Sequence, residues 1–94
     1  MLRITRCDAS GVTRLLVEGK LAGACVGELE KCWRETTSTR SAESILVDLS
    51  GVTFVDAAGK QLLVSLHERG AKFAAAGLLP KCLMAEIEGS GAGN

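Results

Sequence analysis

The chain has 94 residues, 47% of them apolar and 23% charged, with Lys and Arg (11) balanced by Asp and Glu (11). That is a globular composition of one-domain size, able to bury roughly 60–65% of its unfolded surface. A formal charge of zero supplies no field for gathering phosphates and argues against nucleic acid. No apolar run approaches the ~20 residues of a membrane span, and MLRITRCDAS lacks the apolar stretch of a secretion signal, so the expected location is the cytoplasm.

LRITRCD and VTRLLVEG flank ASG and alternate apolar with polar residues. This predicts a hairpin with Leu2 and Ile4 on one face and Leu15 and Val17 on the matching face of the second strand. From Gly23 to about Thr36, the apolar residues Val26, Leu29, Cys32 and Trp33 recur at steps of three and four among Glu28, Glu30, Lys31, Arg34 and Glu35. The period is that of an amphipathic helix with one buried stripe, Trp33 in the core. TTSTRSAES has no apolar period and reads as a polar, hydroxyl-rich loop.

ILVDL (45–49) predicts a short interior strand, although Asp48 interrupts the apolar run that a sheet covered on both faces would show. Gly51 and Val52 then read as a turn flanked by Ser50 and Thr53. A second helix is expected from Ala57 to about Arg69, with Ala58, Leu62, Ser65 and Leu66 facing inward and Gly70 as its stop. KFAAAG is the last strand, with Phe73 and Ala75 set against Lys72, Ala74 and Ala76. A third helix is expected from Pro80, burying Leu83, Met84 and Ile87. The order is β-β-α-β-α-β-α in one domain, residues 1–88, followed by a flexible tail at 89–94, with right-handed crossovers joining the later strands.

Candidate chemistry is sparse. Cys7, Cys25, Cys32 and Cys82 form no CxxC pair. On a helix, Cys25 and Cys32 stand about 10 Å apart, beyond the ~7 Å Cα limit for a bridge. They are expected to act as small apolar fillers, with no metal site. His67, the single histidine, falls near a helix end, where solvation is the expectation. GKLAGA and AAGLLPK lack the spacing of a phosphate cradle. No catalytic residue and no cofactor are expected.

One short stretch carries more. Asp56 stands where a carboxylate can cap the second helix and suit its positive end. Gly59, in the first turn, lets another backbone come close. Ala57 and Ala58 then form a small apolar knob, able to dock a partner but not to attack a substrate. Asp56, Ala57, Ala58 and Gly59 are therefore the candidate partner-binding residues. Ser50 and Thr53 are candidate phosphoacceptors nearby, though turn hydroxyls commonly bond local backbone.

VDLSGVTFVDAAGKQLL resembles the signature of STAS domains, the sulfate transporter and anti-sigma-factor antagonist family. In that signature a strand, a D-x-S-x-V-x-[FIY]-[VIM]-D segment and a [ST]-[ST]-G turn lead into a helix. The likeness continues through RGAKFAAAGLLPKCLMAEI and, weakly, back to VEGKLAG. It implies an α/β STAS-like fold, an approximately four-stranded mixed sheet with helices mainly on one face. It also implies a non-enzymatic bacterial regulator or scaffold, active in signalling and transcription regulation, that binds an anti-sigma factor or a related kinase-fold protein. In bacterial antagonists the second hydroxyl residue before the glycine is phosphorylated. That position is Ala58 here and the first is Ala57, while Asp56 and Gly59 are kept, so the usual phospho-switch has no acceptor. The alternative is the small cytoplasmic STAS subunit of a lipid-transport ABC complex, partnered by the transporter ATPase and similar in brevity and in a D-x-A-G type turn. A STAS module sensing a nucleotide or lipid in its helix cleft is a third reading.

Overall fold

The computed structural model describes residues 2–74 and Ala85. The expected third helix, the 89–94 tail, Ala75, Ala76 and Cys82 lie outside the described residues, except that Ala85 is helical and exposed. Strand β1 (Leu2–Ala9) pairs antiparallel with β2 (Val12–Leu21) across a two-residue turn. Ser10 and Gly11 both take positive φ, 53° and 79°, as a type I′ hairpin turn requires. Ile4 stands opposite Val17. The predicted apolar face of the hairpin therefore forms, with Leu15 and Val17 fully buried and Leu2 and Ile4 packed beside them.

Helix α1 (Ala24–Thr37) buries Leu29 and Trp33 completely and packs Val26 and Cys32 at its margin. The expected polar loop is shorter than read. Thr36 and Thr37 belong to α1, where their hydroxyls donate to the carbonyls of Cys32 (2.8 Å) and Trp33 (3.0 Å). That back-bonding lets Thr36 be buried without an unsatisfied hydroxyl. A turn of 3-10 helix, Ala42–Ser44, leads into β3 (Ile45–Val55). Helix α2 (Ala57–Glu68) and β4 (Lys72–Ala74) follow. The sheet order is β1-β2-β3-β4, with β3 parallel to both β2 and β4.

Strand β3 corrects the reading of residues 50–53 as a turn. It runs through them, and its register with β2 slips twice: Leu16 pairs with Asp48 but Glu18 with Gly51, and Gly19 pairs with Val52 but Lys20 with Phe54. Each slip inserts one extra residue in β3, a β-bulge. The bulges keep Leu49, Val52 and Val55 facing the helices at a spacing of three, which mimics a turn when a period of two is expected. Gly51 fits the first bulge because a Cβ there would meet Glu18 Cγ at 2.6 Å.

The core lies between one face of the sheet and the two helices: Leu15, Val17, Leu21, Ile45, Val47, Leu49 and Val52 against Leu29, Trp33, Leu63 and Leu66. In α2 the inward stripe is Gly59, Leu63 and Leu66, with Leu62 and Ser65 half-buried. Ala58 is exposed, contrary to expectation, because contact of Gly59 with β2 sets the rotation of the helix. Arg69 and Gly70 (φ 103°) close α2 in a Schellman motif, with the Ala71 amide donating to Leu66 O and the Gly70 amide to His67 O.

Candidate functional site

The site is built where β3 ends. Asp56 is the N-cap of α2, and its Oδ1 accepts from the Gly59 amide at 2.7 Å. Its Oδ2 accepts from the Gly23 amide at 3.0 Å, at the start of α1. The Asp56 amide donates in turn to the Leu21 carbonyl, 3.2 Å away at the end of β2. One carboxylate thus satisfies N-terminal amide donors of two helices, and neither helix has an acid in its first turn. The Gly23 and Gly59 amides hold the Asp56 carboxyl below its ordinary value of 3.8.

Gly59 is buried against the same carbonyl: a Cβ there would lie 2.5 Å from Leu21 O. Asp56 and Gly59 therefore form the internal half of the motif, and Ala57 and Ala58, both exposed, the external half. Along the outer side of α2, Ala57, Lys60, Gln61, Val64, Ser65 and Glu68 line a groove of about 390 Å³. The turn offers apolar surface with no nucleophile. Among the described residues no group of three His, Cys, Asp or Glu side chains could hold a metal ion.

Phe54 escapes sequence reading. It is 49% exposed, close before the cap, and stands opposite Lys20 on the sheet face away from the helices. Regular alternation after Val52 would turn residue 54 inward; the bulge at Thr53 turns it out. Gly23 is the second such residue, because nothing in its local sequence announces a bond to a side chain 33 residues later.

Ser50 and Thr53 sit at the bulges rather than around a turn. The Ser50 hydroxyl (2.6 Å) and amide (2.9 Å) both donate to Asp48 Oδ1, and the Thr53 hydroxyl donates to the Gly19 carbonyl at 3.3 Å. Asp48, 5% exposed, also accepts from Arg14 Nε at 3.0 Å and from Arg14 Nη2. Burial pushes the Asp48 carboxyl up, but the bonds from Ser50 and Arg14 outweigh it and leave the group below its ordinary value.

Other sequence-selected residues stand apart. His67 is half-buried and stacks on Phe73 at 6.2 Å, rather than being solvated. Cys7 is exposed on β1 and is no core filler, because its position alternates with the buried face. Cys25 and Cys32 are half-buried thiols, and burial pushes the Cys32 thiol up.

Among solved structures, the chain is similar to the crystal structure of an anti-sigma factor antagonist from Mycobacterium paratuberculosis, with a TM-score of 0.78 at 20% identity, covering 97% of this chain and 82% of that one. The fold is STAS-like. A protein of the DUF3478 family with a SpoIIAA-like fold, from Shewanella loihica PV-4, shares this STAS-like architecture at a TM-score of 0.61 and 12% identity, over 95% of this chain and 78% of that one. A structure of Mglu matches at 0.57 and 15% identity over 80% of this chain, which spans only 19% of Mglu. No protein-family model and no curated sequence matches the chain. Packing and strand order persist at identities where residue-by-residue likeness has faded, so this STAS-like fold is recognised from its backbone.

Proposed function

We propose that the protein is a non-enzymatic, cytoplasmic regulator or scaffold of the anti-sigma-factor-antagonist type, which binds a protein partner at the turn of residues 56–59, through the exposed Ala57 and Ala58 that Asp56 and Gly59 hold in place. The observation that carries this reading is the exposed alanine pair at a helix start tied down by Asp56, on a fold shared with an anti-sigma factor antagonist. A surface without a hydroxyl stays in its unmodified form, so binding through this turn is constitutive rather than switched. The partner class this favours is an anti-sigma factor or a related kinase-fold protein. No described helix is long and apolar enough to cross a membrane, consistent with a partner bound away from the bilayer interior.

The test is affinity capture from native lysate, followed by Ala58→Asp against the captured protein. Residue 58 is exposed, and a carboxylate at a helix N-terminus gains ~0.3–1 kcal/mol before repulsion from Asp56, so the variant should melt close to wild type. At a buried interface the same carboxylate is desolvated without a partner, at a cost of several kcal/mol, and affinity should fall by two orders of magnitude or more. A folded Ala58→Asp protein that binds as tightly as wild type rejects this surface. Capture of a transporter ATPase would instead support the lipid-transport subunit. Purified protein should hydrolyse neither phosphoesters nor acyl esters nor nucleoside triphosphates; saturable turnover lost in Asp56→Asn would overturn the non-enzymatic reading.

A further inference from the structure

Strand β1 lies at an outer edge of the sheet, and among the described residues no strand lies beyond it. Its eight residues pair with β2 without a register slip and contain no proline, and the charges they carry, Arg3, Arg6 and Asp8, restrict which strand can pair there. Beyond the edge, Leu2, Ile4, Glu28, Lys31, Cys32 and Glu35 line a groove of about 350 Å³ between β1 and α1. The inward side chains of one further strand would sit there.

We propose that a second copy of this chain occupies the groove, the two β1 strands pairing antiparallel about a two-fold axis at Ile4. In a continuous sheet, directly opposed residues share a face, so Ile4 can stand only opposite an even-numbered residue of the second copy. Opposite Arg6, the register brings Asp8 of the second copy to Leu2 and so to Glu28, since α1 starts just beyond the end of β2 that flanks Leu2. Opposite Asp8, it sets Arg6 against Arg6. Opposite Leu2, it sets Arg3 against Arg3 on the other face.

With Ile4 opposite Ile4 no like charges stand directly opposite each other. Arg3 faces Thr5, and Leu2 faces Arg6 of the second copy, whose stem covers Leu2 while its guanidinium reaches toward Glu28. Among the described residues Arg6 forms an exposed ion pair with Asp8 at 3.4 Å, weak enough to let it turn to a new carboxylate. The contact is isologous and closes at two copies. It lies two strands away from the β3–α2 turn and goes beyond the partner site proposed there.

Sedimentation velocity of the full chain, loaded from about 1 to about 500 µM, should show its mass rise from one copy to two, as a modest interface requires. Ile4→Lys places a charge on the two-fold axis and should raise the dimer dissociation constant at least about tenfold with the circular dichroism unchanged, whereas Val12→Lys at the hairpin tip should leave it as in wild type. In Ile4→Cys, opposed Cα atoms ~4.5–5.5 Å apart permit oxidation to a covalent dimer linked through the introduced thiols, identified by peptide mass. A wild-type chain that stays monomeric over the whole range overturns the proposal and leaves the edge to a different protein. So does a dimer that a folded Ile4→Lys chain retains, or an Ile4→Cys chain that is not linked at residue 4. Should Ile4→Lys unfold, the wild-type concentration dependence and the Ile4→Cys linkage decide alone.

Discussion

At Gly59 a methyl group would lie 2.5 Å from the Leu21 carbonyl oxygen and 3.0 Å from Val55 Cγ1, so Gly59→Ala must displace backbone. Overpacking of this kind costs ~1–3 kcal/mol, a fall in melting temperature of several degrees. Gly27 is also helical, but a methyl group there would meet nothing within 4 Å, so it should behave in the opposite way: Gly27→Ala should gain ~0.5–1 kcal/mol. Thermal melts of the two variants separate a glycine kept for close approach from one that is merely tolerated. Asp56 offers a finer test. Asparagine caps a helix as well as aspartate, so a residue that was only a cap would tolerate Asp56→Asn. The carboxylate, however, accepts from Gly23 and Gly59 through separate oxygens, and the NH₂ of asparagine cannot accept. Asp56→Asn should therefore lower the melting temperature by several degrees, and an unchanged melt would reduce Asp56 to a simple cap.

The element that most departs from expectation is β3. Leu49, Val52 and Val55 face inward at intervals of three because two extra residues are accommodated, and Asp48, Ser50, Gly51 and Thr53 are the chemistry of that accommodation. A D-x-S-G-x-T string is legible as something that breaks alternation. Whether the break is a turn or a bulged strand depends on β2, which supplies the pairing groups and the Gly19 carbonyl from far away in sequence. Both residues are exposed, but a phosphoryl group or its mimic on Ser50 would lie against the Asp48 carboxylate, whereas the Thr53 hydroxyl meets the neutral Gly19 carbonyl. Ser50→Asp should thus cost ~1–3 kcal/mol in urea denaturation and Thr53→Asp less than ~0.5 kcal/mol. If the two cost the same, the Asp48 contact is not what discriminates them.

Among the described residues, three carboxyls, Asp8, Asp48 and Asp56, are held below their ordinary value of 3.8. For Asp8 the largest cause is the Thr13 hydroxyl, 2.5 Å away. The folded chain binds protons at these sites less readily than the unfolded one, so their stabilisation is fully present above about pH 4 and lost as pH falls through the lowered folded values. Urea midpoints should be flat from about pH 5 to 7 and fall below about pH 4, less steeply in Asp56→Asn; a midpoint that rises on acidification would contradict the assignment. The hairpin, the two amphipathic helices, their order and the apolar turn at Ala57 and Ala58 were all legible in the amino-acid string, because apolar period, glycine stops and capping residues act over a few neighbouring positions. The string also carried the resemblance that the backbone comparison supports at the level of fold. Packing alone set the rotation of α2 that buries Gly59 and exposes Ala58, the outward turn of Phe54, the second bond of Asp56 to Gly23 and the burial of Asp48 beneath Arg14. Each depends on contact between segments distant along the chain, and local propensity holds no information about which distant group will arrive.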